Sequence, residues 1–358
     1  MNWWTGDAVP PNVTTSPAIA AAAVALPRHR YSQDETAAAL AGFAGPEFRR
    51  FAATSGVASR QLALPLWRYP KLRGFTEAND AYLDVALELG ERALTSALDD
   101  AGITPAEVDI VFSTTVTGLA VPTLEARLAT RIGLRPDVKR VPLFGLGCVA
   151  GAAGVARMHD YLRAFPGHVA VLLAVELCSL TIQRDDHSVA NLVASSLFGD
   201  GAAAVVATGA DRAAAGPTVL ATRSHLYPDT EDVMGWHIGS DGFRIILSAD
   251  VATVAEKYLG EDVREFLADH GLVTADVDRW ICHPGGPRVI EAVENGLDLP
   301  DDALDATRKS LRDNGNLSSV SVLDVLRDTL ADPPPPGSIG VMIAMGPAFC
   351  SELVLLRW

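Results

Sequence analysis

The sequence predicts an α/β protein built from two related halves, residues 1–212 and 213–358, layered as helices and sheet. Three observations lead there. Helical and strand periodicities alternate along the whole chain, the pattern of a layered α/β architecture. A gap-free internal echo pairs AGITPAEVDIVFSTTVTG (101–118) with HGLVTADVDRWICHPGGP (270–287): helix end, Gly stop, acidic turn, then a strand ending in polar residues. The 358 residues, 49% of them hydrophobic and 20% charged, suffice for two core-sized units. Two long segments at one offset imply a duplicated unit, so equivalent strand ends converge near a pseudo-twofold axis.

Taken in order, residues 1–13 read as a loose extension. Residues 18–27 are the longest apolar stretch. They are too short to cross a membrane and lack a basic leader, so they read as a buried first strand. The strongly basic stretch follows, Phe48-Arg49-Arg50-Phe51 with Arg60, Arg68, Lys71 and Arg73. Its alternatives are a coenzyme-phosphate contact, with Arg60 as the candidate, or a solvated basic face. Leu83, Leu87, Gly90, Leu94 and Leu98 mark a helix, and 108–115, 169–175 and 202–206 read as buried strands. Residues 207–217, rich in Ala, Gly and Asp, suit a junction between halves, and the prolines at 333–336 with Gly337 form a loop.

The net charge of −15 argues against nucleic acid and anionic membrane surfaces as partners. Cysteines 148, 178, 282 and 350 show no CxxC pair and no His at metal spacing. A reduced, cytoplasmic compartment follows, with neither a disulfide framework nor a metal site.

The segment PLFGLGCVAGAAG (142–154) presents Cys148 on a glycine-tight turn between a strand and a helix. Val155, Met158, Leu162 and Phe165 make that helix's apolar stripe, with Arg157, Asp160 and Arg163 off it, so a half-buried helix is expected. A thiol at a helix start is biased toward thiolate. The echo places Thr114 against His283, and the Gly147-Cys148 turn against Asn316-Leu317. Cys148 of one half should therefore meet His283 and Asn316 of the other. A histidine at a strand end is otherwise often structural, and an Asn before a helix is often a cap. Together with a thiol they make a nucleophile, its proton acceptor and an amide donor for a developing negative oxygen.

The Cys148 segment, SLFGDGAAAVV (196–206), HPGGPRVI (283–290) and GNLSS (315–319) together resemble the type III polyketide synthases, the chalcone-synthase-like family. The likeness runs from about residue 17 to the C-terminus. It implies a thiolase fold, a duplicated αβαβα architecture with pseudo-twofold halves. It also implies a homodimer that uses an acyl-CoA starter and malonyl-CoA with no further cofactor. By resemblance, Cys148 accepts the acyl group, while His283 and Asn316 activate the thiolate and drive malonyl decarboxylation. Phe198 and Phe243 match the family's two gatekeeper aromatics. Glu176, Cys178 and Thr181 line the cavity, Gly235 leaves room at its wall, and Val121 crosses the dimer interface. Ala344-Met345-Gly346-Pro347-Ala348 departs from the family's Gly-Phe-Gly-Pro-Gly and alters the shape of the cyclisation pocket.

VELCSLT and DTEDVMGW resemble bacterial alkylresorcinol and alkylpyrone synthases, and Thr181 stands where naphthalene-forming members tend to carry cysteine. A fatty acyl-CoA starter and an alkylpyrone or alkylresorcinol product are therefore expected. The alternative is a β-ketoacyl synthase III-type condensing enzyme using a carrier protein. Against it stand Pro284-Gly285-Gly286 after the histidine, where that family has Gln-Ala-Asn, and an acidic surface ill-suited to an acidic carrier. A silent acyl-CoA-binding relative would have no reason to keep all three polar residues. A papain-like protease is disfavoured by residue order, and thiolases by the missing second cysteine.

Overall fold

A computed structural model describes residues 16–44 and 47–358; the extension expected at 1–13 lies outside the described residues. The apolar stretch near the N-terminus is strand β1 (Ala18–Ala25). Strands β2 (His29–Ser32) and β3 (Ser59–Leu62) pair antiparallel apart from the main sheet, with helices α1 (Gln33–Ala44) and α2 (Phe48–Thr54) between them. Helix α3 (Gly74–Ala101) ends at Gly102, whose φ of +64° is the predicted Gly stop. Then come β4 (Ile110–Thr114), α4 (Leu124–Ile132), β5 (Lys139–Leu143), α5 (Ala150–Ala164), β6 (Val169–Leu177), α6 (Val189–Leu197) and β7 (Asp200–Thr208).

The C-terminal half opens with β8 (Thr218–Leu226) and a separate hairpin, β9 (Met234–Gly239) and β10 (Gly242–Leu247). It continues through α7 (Val251–Ala268), β11 (Arg279–Cys282), α8 (Pro287–Leu297), α9 (Asp305–Asn314), α10 (Ser319–Ala331), β12 (Ile339–Gly346) and β13 (Cys350–Arg357).

The echo read from the sequence is a structural repeat. Helix α3, the 3₁₀ turn Pro105–Glu107 and β4 recur in register as α7, the turn Thr274–Asp276 and β11. Helix α5 recurs as α10. Nine strands join in one sheet, ordered β11-β12-β13-β8-β1-β7-β6-β4-β5, with the two halves meeting at β8 and β1.

Alternation along the strands explains the layering. Val169, Val171, Leu173 and Val175 of β6 pack in a cluster with Leu89, Leu94 and Leu98 of α3, while Ala170, Leu172 and Ala174 pack in another with Val155, Val322 and Leu326 of α5 and α10. In the other half Val341, Ile343, Leu353 and Leu355 face α7 and α8, and Met342, Ala344, Val354 and Leu356 join the α5/α10 core. Helix pair, sheet half, central helices, sheet half, helix pair: the duplicated αβαβα thiolase-type order holds.

Helix α5 is more buried than a single apolar stripe implies, because both halves close on it; Ala150–Ala156 are all buried. At Gly151 an added Cβ would lie 2.3 Å from the Ser319 carbonyl oxygen and 2.6 Å from Val322 Cγ1. Gly151→Ala should force α5 and α10 apart and cost about 1–3 kcal/mol, as overpacking does. A urea unfolding midpoint equal to that of the parent protein would contradict this close approach.

Candidate active site

Three elements deliver the predicted trio. After β5, Gly147 at φ +57° starts the one-turn 3₁₀ segment Gly147–Val149, and α5 begins directly behind it. A Cβ at Gly147 would lie 2.7 Å from Pro347, so this turn needs glycine. Cys148 is thereby held at the head of the central helix. His283 follows the end of β11, its N–H donating to the Ile343 carbonyl at 2.8 Å. Asn316 bridges in parallel to Phe198: its N–H donates to Leu197 O at 2.9 Å, and its own carbonyl accepts from Gly199 N at 2.9 Å. Cys148, His283 and Asn316 are all buried, and all line one cavity that opens to solvent. Cys178, Phe198 and Gly235 line it too.

The polar geometry gives each group a defined state. Asn316 Oδ1 accepts from Ser318 N at 2.8 Å, and Nδ2 makes only a 3.4 Å contact to Gly285 O. The amide N–H is thus the side of the carboxamide left for an incoming oxygen. His283 Nδ1 has no partner. Cys148 Sγ donates to Ser318 Oγ at 3.5 Å, and Ser318 Oγ donates to Glu176 Oε1 at 3.4 Å. Ser318 occupies φ +53°, a strained conformation for a residue with a side chain.

Several expectations need correction. Glu176 is fully buried behind the cavity, accepting from Ser319 Oγ at 2.7 Å, Val116 N at 3.1 Å and Thr117 Oγ1 at 3.0 Å. It supports Ser318 instead of lining the wall. Phe243 is 2% exposed and packs edge-on between Trp236 and Phe75, at 5.9 and 5.6 Å between ring centroids. Ile245 and Leu247, further along β10, line the cavity with Trp236 of β9. Thr181 lies in a small adjoining recess that shares Cys178, Phe198, Trp236 and Ile245 with the main cavity. Arg60 is 1% exposed on the inner face of β3, its Nη1 donating to Ser195 O and Phe198 O, so it is closed off from a coenzyme phosphate. Val121 is 95% exposed and is not among the residues lining the cavity. Gly235 has nothing within 4 Å of an added Cβ, so its missing side chain leaves open space.

Ser318, Trp236, Ile245 and Leu247 were not singled out from sequence. Ser318 had a signal, standing two residues after Asn316 in GNLSS. The hairpin residues had none beyond their nearness to Gly235.

Residues 34–212 match the N-terminal domain of chalcone and stilbene synthases, and residues 218–358 match the C-terminal domain. The chain belongs to the type III polyketide synthases. A 1,3,6,8-tetrahydroxynaphthalene synthase of Streptomyces peucetius subsp. caesius is 55% identical over 95% of this chain and 93% of its own. A putative chalcone synthase of Bacillus subtilis (strain 168) is 37% identical over 84% of this chain and 86% of its own. The crystal structure of the tetrahydroxynaphthalene synthase from Streptomyces coelicolor A3(2) superposes with a TM-score of 0.91 at 30% identity, covering 95% of this chain and 99% of that one. As a type III polyketide synthase, the protein is a condensing acyltransferase that works on CoA thioesters without an additional cofactor. The carrier-dependent ketoacyl synthase alternative is set aside by the family match. No helix among the described residues is long and apolar enough to cross a membrane.

In this type III polyketide synthase, burial opposes the bias toward thiolate expected from the helix start. It pushes the Cys148 thiol up to about 12, with nearby Glu176 adding to the rise, and pulls the His283 imidazole down to about 3. Isolated charges are therefore disfavoured at both sites.

Glu176 shows the same desolvation: burial raises its carboxyl from 4.5 to about 7, against the pull of its hydrogen-bond donors. The folded state then holds this proton more tightly than the unfolded chain. Its contribution to stability is full below the unfolded value of 4.5 and is lost as pH rises through about 7. The loss is bounded at about 3 kcal/mol. Glu176→Gln should flatten the fall in urea midpoint between pH 5 and 8. Equal slopes in parent and variant would show that this carboxyl does not titrate there. Asp200, raised to about 6 by burial, keeps part of the slope in both.

Proposed function

We propose that this type III polyketide synthase primes itself with malonyl-CoA and builds tetrahydroxynaphthalene on Cys148. His283 accepts the thiol proton, the thiolate attacks the starter thioester, and the imidazolium returns the proton to the departing coenzyme A thiolate. A malonyl thioester then enters beside Phe198. The bond to its carboxylate breaks, carbon dioxide leaves, and the electron pair passes to the α-carbon as a thioester enolate. The imidazole and the Asn316 amide donate to that enolate oxygen, where neutral donors stabilise charge without repelling the departing carboxylate. The Phe198 ring disfavours the carboxylate's charged form. The enolate carbon attacks the Cys148 thioester, and the sulfur leaves as thiolate for the next round.

The observation that carries the starter and product is the likeness at 55% identity over 95% of the chain to a tetrahydroxynaphthalene synthase. The fatty-acyl reading keeps two observations in its favour, Thr181 where naphthalene-forming members tend to carry cysteine and the apolar wall made by Met234, Trp236, Ile245 and Leu247 in the main cavity. With either starter the protein is read as a homodimer, with exposed Val121 at the partner's side, in a reducing cytoplasmic setting that suits its free cysteines.

Mass spectrometry of products separates these readings. Malonyl-CoA alone should yield the naphthalene. Product only when a long-chain acyl-CoA is added would replace it with the alkylpyrone or alkylresorcinol reading.

A further inference from the structure

Arg60 is the least expected side chain in the interior. It is among the largest fully buried groups, and burial lowers its pKa to about 10, so it stays charged at neutral pH. Only Nη1 is bonded, to Ser195 O at 2.7 Å and Phe198 O at 2.6 Å; Nε and Nη2 have no hydrogen-bond partner. Asp200 is the carboxylate whose charge acts on it, yet that carboxylate is itself taken up by Ala63 N at 2.6 Å, Ser179 N at 2.8 Å and the Ser179 hydroxyl. A half-satisfied buried cation is a poor way to stabilise a fold.

What the guanidinium does hold is the end of α6. Ser195 and Phe198 are the residues whose carbonyls it gathers, and Phe198 is the residue bridged to Asn316. Leu197 O and Gly199 N, on either side of Phe198, carry the two hydrogen bonds to the Asn316 backbone. The packing is tight on the far side too: a Cβ at Gly199 would lie 2.3 Å from Asn314 O and 3.5 Å from Arg60 Cβ. Backbone, ring and amide are therefore set together from one side by a single charged group. Cys148 and His283 are fixed by other elements, the Gly147–Val149 turn and the end of β11.

We propose that Arg60 is a positioning residue for malonyl decarboxylation, fixing the segment 195–198 so that the Phe198 ring and the Asn316 amide meet the malonyl carboxylate together. This rests on the decarboxylative reading above. Acylation of Cys148 does not pass through Arg60. The two steps should therefore separate.

The test compares the full-length parent with Arg60→Gln and Arg60→Lys. Cys148 reactivity is read as the rate of carbamidomethylation by iodoacetamide, and decarboxylation as carbon dioxide released from malonyl-CoA per alkylatable Cys148. Arg60→Gln should lose decarboxylation at least tenfold while alkylation stays within twofold. Arg60→Lys, which keeps the charge without the fork, should recover part of the loss. Decarboxylation within twofold of the parent would overturn the proposal. So would a parallel fall in both readouts, or insolubility of both variants, since either assigns Arg60 to the fold alone. A parent that releases no carbon dioxide would instead remove the decarboxylative function itself, and with it the step Arg60 is held to serve.

Discussion

Cys148→Ala should abolish polyketide formation, by at least about a thousandfold, because no other group in the cavity is placed to carry the acyl chain. Cys178 lines the same cavity, but burial and the neighbouring carboxyls of Glu176 and Asp200 push its thiol well above the ordinary range. Burial raises the Cys148 thiol as well, so what separates the two is placement: Cys148 sits on the Gly147–Val149 turn at the head of α5, while Cys178 opens the 3₁₀ turn Cys178–Thr181 that follows β6. The fold should survive, since alanine fills nearly the same space beside Ser318. Residual release of carbon dioxide from malonyl-CoA is allowed in this variant, because His283 and Asn316 remain. Product from a folded Cys148→Ala protein, measured by mass spectrometry, would refute the covalent route.

Asn316→Ala should act on the other half of the chemistry. Removing one donor from a developing oxyanion costs about a hundred- to a thousandfold in rate. The loss should fall on decarboxylation, while single-turnover acylation of Cys148 remains near the parent's. The backbone bonds from Asn316 to Leu197 and Gly199 do not use the side chain, so the loop should hold. The lost Oδ1 bond to Ser318 N is the one structural consequence to expect. Equal loss in acylation and decarboxylation would show that the amide serves the architecture and not the enolate.

The architecture was legible because duplication writes itself twice. Gly102 and Gly271 stop equivalent helices at φ +64° and +72°, and the strands that follow, β4 and β11, end at Thr114 and at Cys282, one residue before His283. That one alignment carried the meeting of Cys148, His283 and Asn316. The resemblance to type III polyketide synthases, read from the motifs around those residues, agrees with the family match over 34–212 and 218–358.

The rest depended on depth, which periodicity does not report. Arg60 sits among surface-looking basic residues in the sequence, yet the inward phase of β3 takes it into the core. Glu176 lies near the end of the apolar β6 and stays buried because Val116 and Thr117 from one other segment and Ser319 from a second bond it. Phe243, Ile245 and Leu247 share one face of β10, and a period of two cannot say which of them reaches the cavity. Helix α5 showed one stripe and is buried nearly all round at its start, because the second sheet half belongs to a distant part of the chain.

The most direct measurement is peptide mapping by mass spectrometry of enzyme quenched within one turnover of mixing with starter CoA thioester. The account predicts an acyl adduct on the peptide containing Cys148, absent in Cys148→Ala. An adduct on Cys178, or none during measurable product formation, would contradict it.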